Sequence, residues 1–77
     1  MKPMADIKFE IVKQIGALSE SEKGWTKELN IVSWNSATPK YDIRAWDPNH
    51  EKMGKGITLT IEEAEELYEL LGKALVR

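Results

Sequence analysis

The sequence predicts an α+β domain: a four-stranded antiparallel curved sheet followed by one C-terminal helix, in the order β-β-β-β-α. Three observations carry this. Apolar and polar residues alternate with period two through much of the first two-thirds of the chain, the mark of half-buried strands. Polar clusters bearing Gly, Pro, Asn and Ser separate the alternating runs at hairpin spacing. The final run then changes to helical spacing behind a capping sequence.

The first strand is read within 7–18, IKFEIVKQIGAL, where Ile7, Phe9 and Ile11 alternate with Lys8 and Glu10. SESEKG at 19–24 forms a polar turn cluster. Residues 25–35, WTKELNIVSWN, are rich in strand formers and set Leu29 and Ile31 on one face. NSATP at 35–39 reads as a turn, with Pro39 expected at the first residue of a strand. The third strand covers 40–46, with Tyr41, Ile43 and Ala45 on one face. A loop at 47–56 leads into the short fourth strand GITLT, which carries Ile57 and Leu59. Thr60 and Glu63 have the spacing of a capping box, and the early glutamates complement the helix dipole. Ala64, Leu67, Tyr68, Leu71, Ala74 and Leu75 then recur at helical spacing. Leu70 widens that stripe to roughly half the helix, more than one small sheet needs to cover. The helix is therefore expected to pack on its own sheet and on a partner.

Seventy-seven residues make a single domain over 1–77, with 1–5 expected to be flexible. That is near the low end of what buries a sufficient core alone, so oligomerisation is expected. The chain has no cysteine, which removes disulfides and thiolate metal sites and fits a reducing, cytoplasmic setting. It has no apolar run of 15 or more residues and a polar N-terminus, so neither a signal peptide nor a membrane span is expected. The net charge of −2 is unevenly placed: residues 62–77 hold five acids against two bases, whereas 1–61 hold nine bases against eight acids. The acidity belongs to the helix, and the remainder is free to present a basic face.

Strand parity sorts the chemistry. With Leu29, Ile31, Tyr41 and Ile43 turned to the core, Val32, Trp34, Asp42, Arg44 and Trp46 share the opposite face. Aromatic rings on an open sheet face are stacking platforms for unpaired bases, worth about 1–3 kcal/mol per base. Arginine adds phosphate contacts and a planar surface of its own. Lys40, Lys52 and Lys55 lie at the hairpin ends, where ammonium groups can follow a phosphate backbone. The competing reading makes the tryptophans core or dimer contacts and pairs Arg44 with Asp42 or Asp47. Other constellations are weaker. Asp47, His50 and Glu51 share a loop, but one His without spaced partners is a poor ligand set, and no metal or cofactor is expected. GKG at 54–56 lacks phosphate-loop spacing and precedes a strand, so its glycines fit positive φ or close backbone approach. The glutamates at 62–69 are a solvated helix face, and no nucleophile has a base partner, so no enzyme activity is expected.

Residues 41–71 resemble the C-terminal domain of the positive cofactor four transcriptional coactivators. The matching elements are YDIR at 41–44, Trp46, DP at 47–48, KGITL at 55–59 and TIEEAEELYELL at 60–71. The likeness spans about 25–75, and the chain is similar to the compact bacterial YdbC-type members. The resemblance implies a homodimer with paired helices, placing Leu67, Leu70, Leu71 and Ala74 at the dimer contact. It implies binding of single-stranded DNA on the sheet without catalysis, cofactor or small-molecule substrate, and a nucleoid-associated location. Arg44 matches the family's strand arginine, Lys55 the lysine before glycine, and Trp46 the stacking aromatic, while Lys52 lies near a family lysine. Lys27 and Trp34 join the expected nucleic-acid surface on chemistry. Duplex DNA is expected to bind more weakly, and RNA is not separable, because stacking does not inspect the 2′-hydroxyl. The alternative is a protein-interaction module that docks through its apolar helix face and aromatics.

Overall fold

The computed structural model describes residues 8–76; the stretch 1–5 and Ile7, discussed above, lie outside them. The strands are β1 Phe9–Glu20, β2 Thr26–Trp34, β3 Lys40–Trp46 and β4 Met53–Leu59, followed by the helix α1 Ile61–Ala74. The strands pair antiparallel in chain order, as the sequence predicts.

Turn chemistry sets this meander. Gly24 takes φ 85 and donates its N–H to the Ser21 carbonyl at 3.0 Å, which closes the β1–β2 turn. Asn35 and Ser36 both adopt positive φ (52 and 66), and Ala37 N–H donates to the Trp34 carbonyl at 2.8 Å. Two successive left-handed residues make the mirror-image turn whose twist suits a hairpin. In the β3–β4 turn, Asp47 Oδ1 accepts the N–H groups of Glu51 (2.8 Å) and Lys52 (3.0 Å). These amides, that of Lys52 foremost, hold the Asp47 carboxyl below its ordinary range.

Boundaries differ from the sequence reading in two places. Pro39 immediately precedes β3 rather than opening it. The fourth strand begins at Met53, so the glycine-bearing stretch first read as loop is paired with β3. Gly56 explains this: a Cβ there would overlap the Arg44 Cβ and the Ile43 carbonyl oxygen. Close backbone approach, and not positive φ, is what that glycine provides.

β1 departs from simple alternation. Its pairing with β2 slips between Ile11 and Lys13, Gln14 and Gly16, and Ala17 and Ser19. The residues skipped are Val12, Ile15 and Leu18, all apolar, so β1 carries three bulges at a spacing of three. Bulges bend and twist a strand.

The helix is capped as expected. Thr60 Oγ1 accepts the Glu63 N–H at 3.0 Å, and the Thr60 N–H donates to Glu63 Oε1 at 2.9 Å. The helix passes through Gly72 to a C-cap at Leu75. Leu29, Tyr41, Ile43 and Leu59 face α1 across an open cleft of about 1030 Å³ that Leu67 and Leu71 also line. No helical residue is buried: Leu67 is half-buried, and Leu70, Leu71 and Ala74 are exposed. The other sheet face is the closed one, which corrects the expected direction of the core. Val32 and Trp46 are the buried apolar residues among those described, and Glu28, Asn30 and Asp42 are buried beside them. The apolar face has only a partial second layer, whereas the polar face is covered by Phe9, His50 and its own ion pairs. No helix among the described residues is long and apolar enough to cross a membrane.

Candidate nucleic-acid interface

Register fixes which side chains meet. Glu28 stands opposite Arg44, Asn30 opposite Asp42, and Thr26 opposite Trp46. On the β4 side, Thr58 pairs with Asp42 and Met53 with Trp46, and on the β1 side Phe9 pairs with Trp34. The predicted sharing of one face by Val32, Trp34, Asp42, Arg44 and Trp46 is therefore realised.

Arg44 is held on this face from three directions. Its Nε donates to Asp42 Oδ1 at 2.6 Å and its Nη2 to Asp42 Oδ2 at 2.8 Å, a two-pronged pair. Its Cζ lies 4.6 Å from the Trp34 ring centroid, in cation–π range, and Nη1 lies 3.8 Å from Met53 Sδ. Thr58 Oγ1 donates to Asp42 Oδ2 at 3.1 Å, so the fully buried Asp42 carboxylate is paired and hydrogen-bonded. The pairing of Arg44 with Asp42 was one of the two readings left open by the sequence, and the structure adopts it. The Arg44 side chain keeps about 15% exposure, and its guanidinium lies over Trp34 and is paired rather than a free charge.

Trp46 requires a correction. Its ring is fully buried, so neither of its faces is open to a base. Phe9 lies against it with ring centroids 5.1 Å apart, and His50 stacks on it at 5.8 Å with 28° between planes. Phe9 at the start of β1 and His50 of the β3–β4 turn supply these covers, and neither is visible in strand parity. Trp34 remains half-buried, with Phe9 5.9 Å away. The aromatic group is thus a supported cluster, with Trp46 beneath and Phe9 and Trp34 nearer the surface.

A second polar group adjoins it. Glu28 accepts from the Thr26 hydroxyl, from Asn30 Nδ2 at 3.0 Å and from His50 Nε2 at 2.8 Å. Burial alone would raise the Glu28 pKa, but the hydrogen bonds from Thr26, Asn30 and His50 together outweigh it and hold the carboxyl below its ordinary value. His50 Nε2 is thus engaged with Glu28, while its backbone N–H donates to the Asp47 carbonyl at 3.0 Å. Three buried polar atoms of this face have no hydrogen-bond partner among the described residues: Asn30 Oδ1, Trp34 Nε1 and Trp46 Nε1.

The expected lysines separate. Lys40 is exposed at the start of β3, opposite Val32 and on the aromatic face. Lys52 is exposed in the β3–β4 turn, and Lys55 is exposed on β4 at the register shift between Arg44 and Trp46. Lys27 pairs with Ala45 and so belongs to the opposite, helix-side face. Sequence reasoning missed Phe9, Glu28 and His50 as members of the site. For Phe9 a signal existed: Phe9, Val12, Ile15 and Leu18 recur every third residue, a period that fits a repeatedly bulged strand better than a regular one.

Comparison with known proteins bears on this face. A protein of Treponema pallidum (strain Nichols) named only as an uncharacterized protein is 50% identical over 66 residues, which is 86% of this chain and 78% of that one. Residues 21–70 match the family described as transcriptional coactivator p15 (PC4), a span that takes in β2, β3, β4, the Arg44–Trp34 stack and most of α1. With more than half its length matched in this way, the chain belongs to the transcriptional coactivator p15 (PC4) family.

Proposed function

We propose that this chain is a non-catalytic nucleic-acid-binding domain that takes single-stranded DNA as a homodimer, with little sequence preference, in transcription or in replication and repair. The observation that carries the reading is the Arg44 guanidinium, fixed by Asp42 against Trp34 on one sheet face, in a member of this family. A planar cation on an aromatic ring is a preorganised stacking surface, and every base has a π-face. Trp34, Arg44 and Phe9 form that surface, Trp46 supports it from below, and Lys40, Lys52 and Lys55 supply phosphate contacts at its margins. Lys27, on the other face, contributes through the long-range field rather than by contact. A net charge of −2 implies fewer phosphate contacts than a strongly basic protein makes, which favours a flexible single strand over a duplex. The dimer would pair α1 helices and close the cleft through Leu67, Leu70, Leu71 and Ala74.

The test is fluorescence anisotropy of a labelled oligo-dT of about 20 nucleotides, a length that covers one or two binding surfaces of this kind. Titration at low and high salt, with a matched duplex as competitor, should give salt-sensitive binding that the duplex displaces poorly. RNA of the same length tests whether the sugar matters. A second reading, a protein-docking module, is favoured by the apolar residues left exposed on α1, Tyr68, Leu70 and Leu71 among them. A folded dimer with flat anisotropy at low salt would favour that reading and reject the first.

A further inference from the structure

His50 has no part in strand binding as proposed, yet it is the most elaborately held side chain of the β3–β4 turn. Its backbone lies in the left-handed region at φ 57, a conformation His adopts more readily than most residues. Its ring is stacked on Trp46, and its Nε2 reaches Glu28 Oε2, 22 positions away on β2, at 2.8 Å. The hydrogen bonds of Asp47 close the turn on itself, whereas His50 fastens it to the sheet. That turn carries Lys52 and leads directly into Lys55.

Glu28, held below its ordinary value, stays ionised throughout the range in which an imidazole titrates, about pH 5–8. Other charged groups stand near His50. Asp47, in the same turn, is held ionised by the Lys52 and Glu51 amides. Arg44, opposite Glu28 on β3, is engaged with Asp42. Glu51 and Lys52 flank the turn position. His50 is the chain's one imidazole, the side-chain type whose charge changes near neutral pH. Neutral, it donates a single hydrogen bond to a carboxylate. Protonated, it adds a Coulomb attraction to that already charge-assisted bond and places one positive charge on the turn.

We infer that His50 is a pH-responsive positioning residue whose protonation tightens its clasp on Glu28, fixes the turn bearing Lys52 and Lys55, and strengthens the grip on a single strand. The inference rests on the strand-binding reading. A turn already fixed loses less conformational freedom when its lysines engage phosphates, and the added charge has the sign that favours a polyanion.

The experiment measures oligo-dT affinity at fixed salt at about pH 8 and about pH 5.5, the two sides of imidazole titration. Wild type is compared with His50→Gln, which reaches toward Glu28 but does not titrate, and with His50→Asn, which tolerates the left-handed backbone but is too short. Wild type should bind roughly fivefold tighter at the lower pH, the effect of one added positive charge at contact distance from a phosphate in water. His50→Gln should bind alike at both pH values, and His50→Asn should be flat and weaker than wild type at low pH. Binding by wild type that does not change with pH overturns the clasp and leaves strand binding intact. So does a His50→Gln variant that keeps the wild-type pH response. No binding by folded wild type at either pH overturns strand binding and the clasp with it.

Discussion

Asp42 and Glu28 are carboxylates on the most enclosed face of the sheet, where an unpaired charge would cost several kcal/mol. Each is answered by a designated partner, Arg44 for Asp42 and His50 for Glu28. This changes what each neighbouring side chain does. Arg44, neutralised by Asp42, serves as an oriented plane; Lys in its place would lose both the fork and the stack. Trp46 is a support and Trp34 a surface, and the two should part company on mutation. Trp46→Ala removes a fully buried ring and is expected to lower unfolding stability by about 3–5 kcal/mol, the usual cost of such a deletion. Trp34→Ala should cost much less stability but weaken oligo-dT binding by about 1–3 kcal/mol. Denaturant melts beside anisotropy on the two variants measure the contrast. Equal stability losses would mean that Trp34 is core as well.

Among the elements, β3 and α1 were the most legible in the sequence. β3 alternates cleanly between two turn signals, and the helix announces itself through the Thr60–Glu63 box and its apolar spacing. The face assignments of β2 and β3 were legible too, since period two leaves no choice of parity. Which face is enclosed was not, because that depends on β1 and the β3–β4 turn folding over from outside the strands concerned. Three bulges reset the parity of β1 three times, so a reading anchored at Ile7, Phe9 and Ile11 loses the side of everything beyond. In β4 the glycines suppress strand propensity, yet Gly56 is what permits the pairing at Arg44. Gly56→Ala should therefore separate β4 from β3 locally, releasing Thr58 from Asp42 and exposing Arg44. The expected outcome is a stability loss of about 1–3 kcal/mol, as for overpacking elsewhere, with faster amide exchange in β4 than in β2. Gly72→Ala, where an added Cβ meets nothing within 4 Å, should leave β4 exchange unchanged and is the control.

Taken whole, one chain is more open than a compact monomer of its length. Its radius of gyration is 14.1 Å and its extents are 54 × 32 × 18 Å, against about 11.5 Å expected for a compact chain of this length. Its accessible surface is 6279 Å², against about 4800 Å² for a folded monomer of its mass. That excess is larger than the roughly 800 Å² one partner gives to a standard interface. Much of the exposed apolar surface lies along α1, where Leu70 and Leu71 are about half exposed and Leu75 more so, and Val12 and Ile15 of β1 add to it. If a second copy covers this surface, folding and association are one process, and stability must rise with protein concentration. The melting temperature of wild type is therefore expected to climb over a hundredfold dilution series, while sedimentation reports a dimer throughout its folded range. Leu71→Asp, on the cleft side of the helix, should abolish both the dimer and the cooperative melt. Glu22→Lys, exposed in the β1–β2 turn away from the helix, should leave them in place. A monomeric wild type with a concentration-independent melt would mean that one open chain stands by itself, and strand binding would then have to be explained by a single sheet.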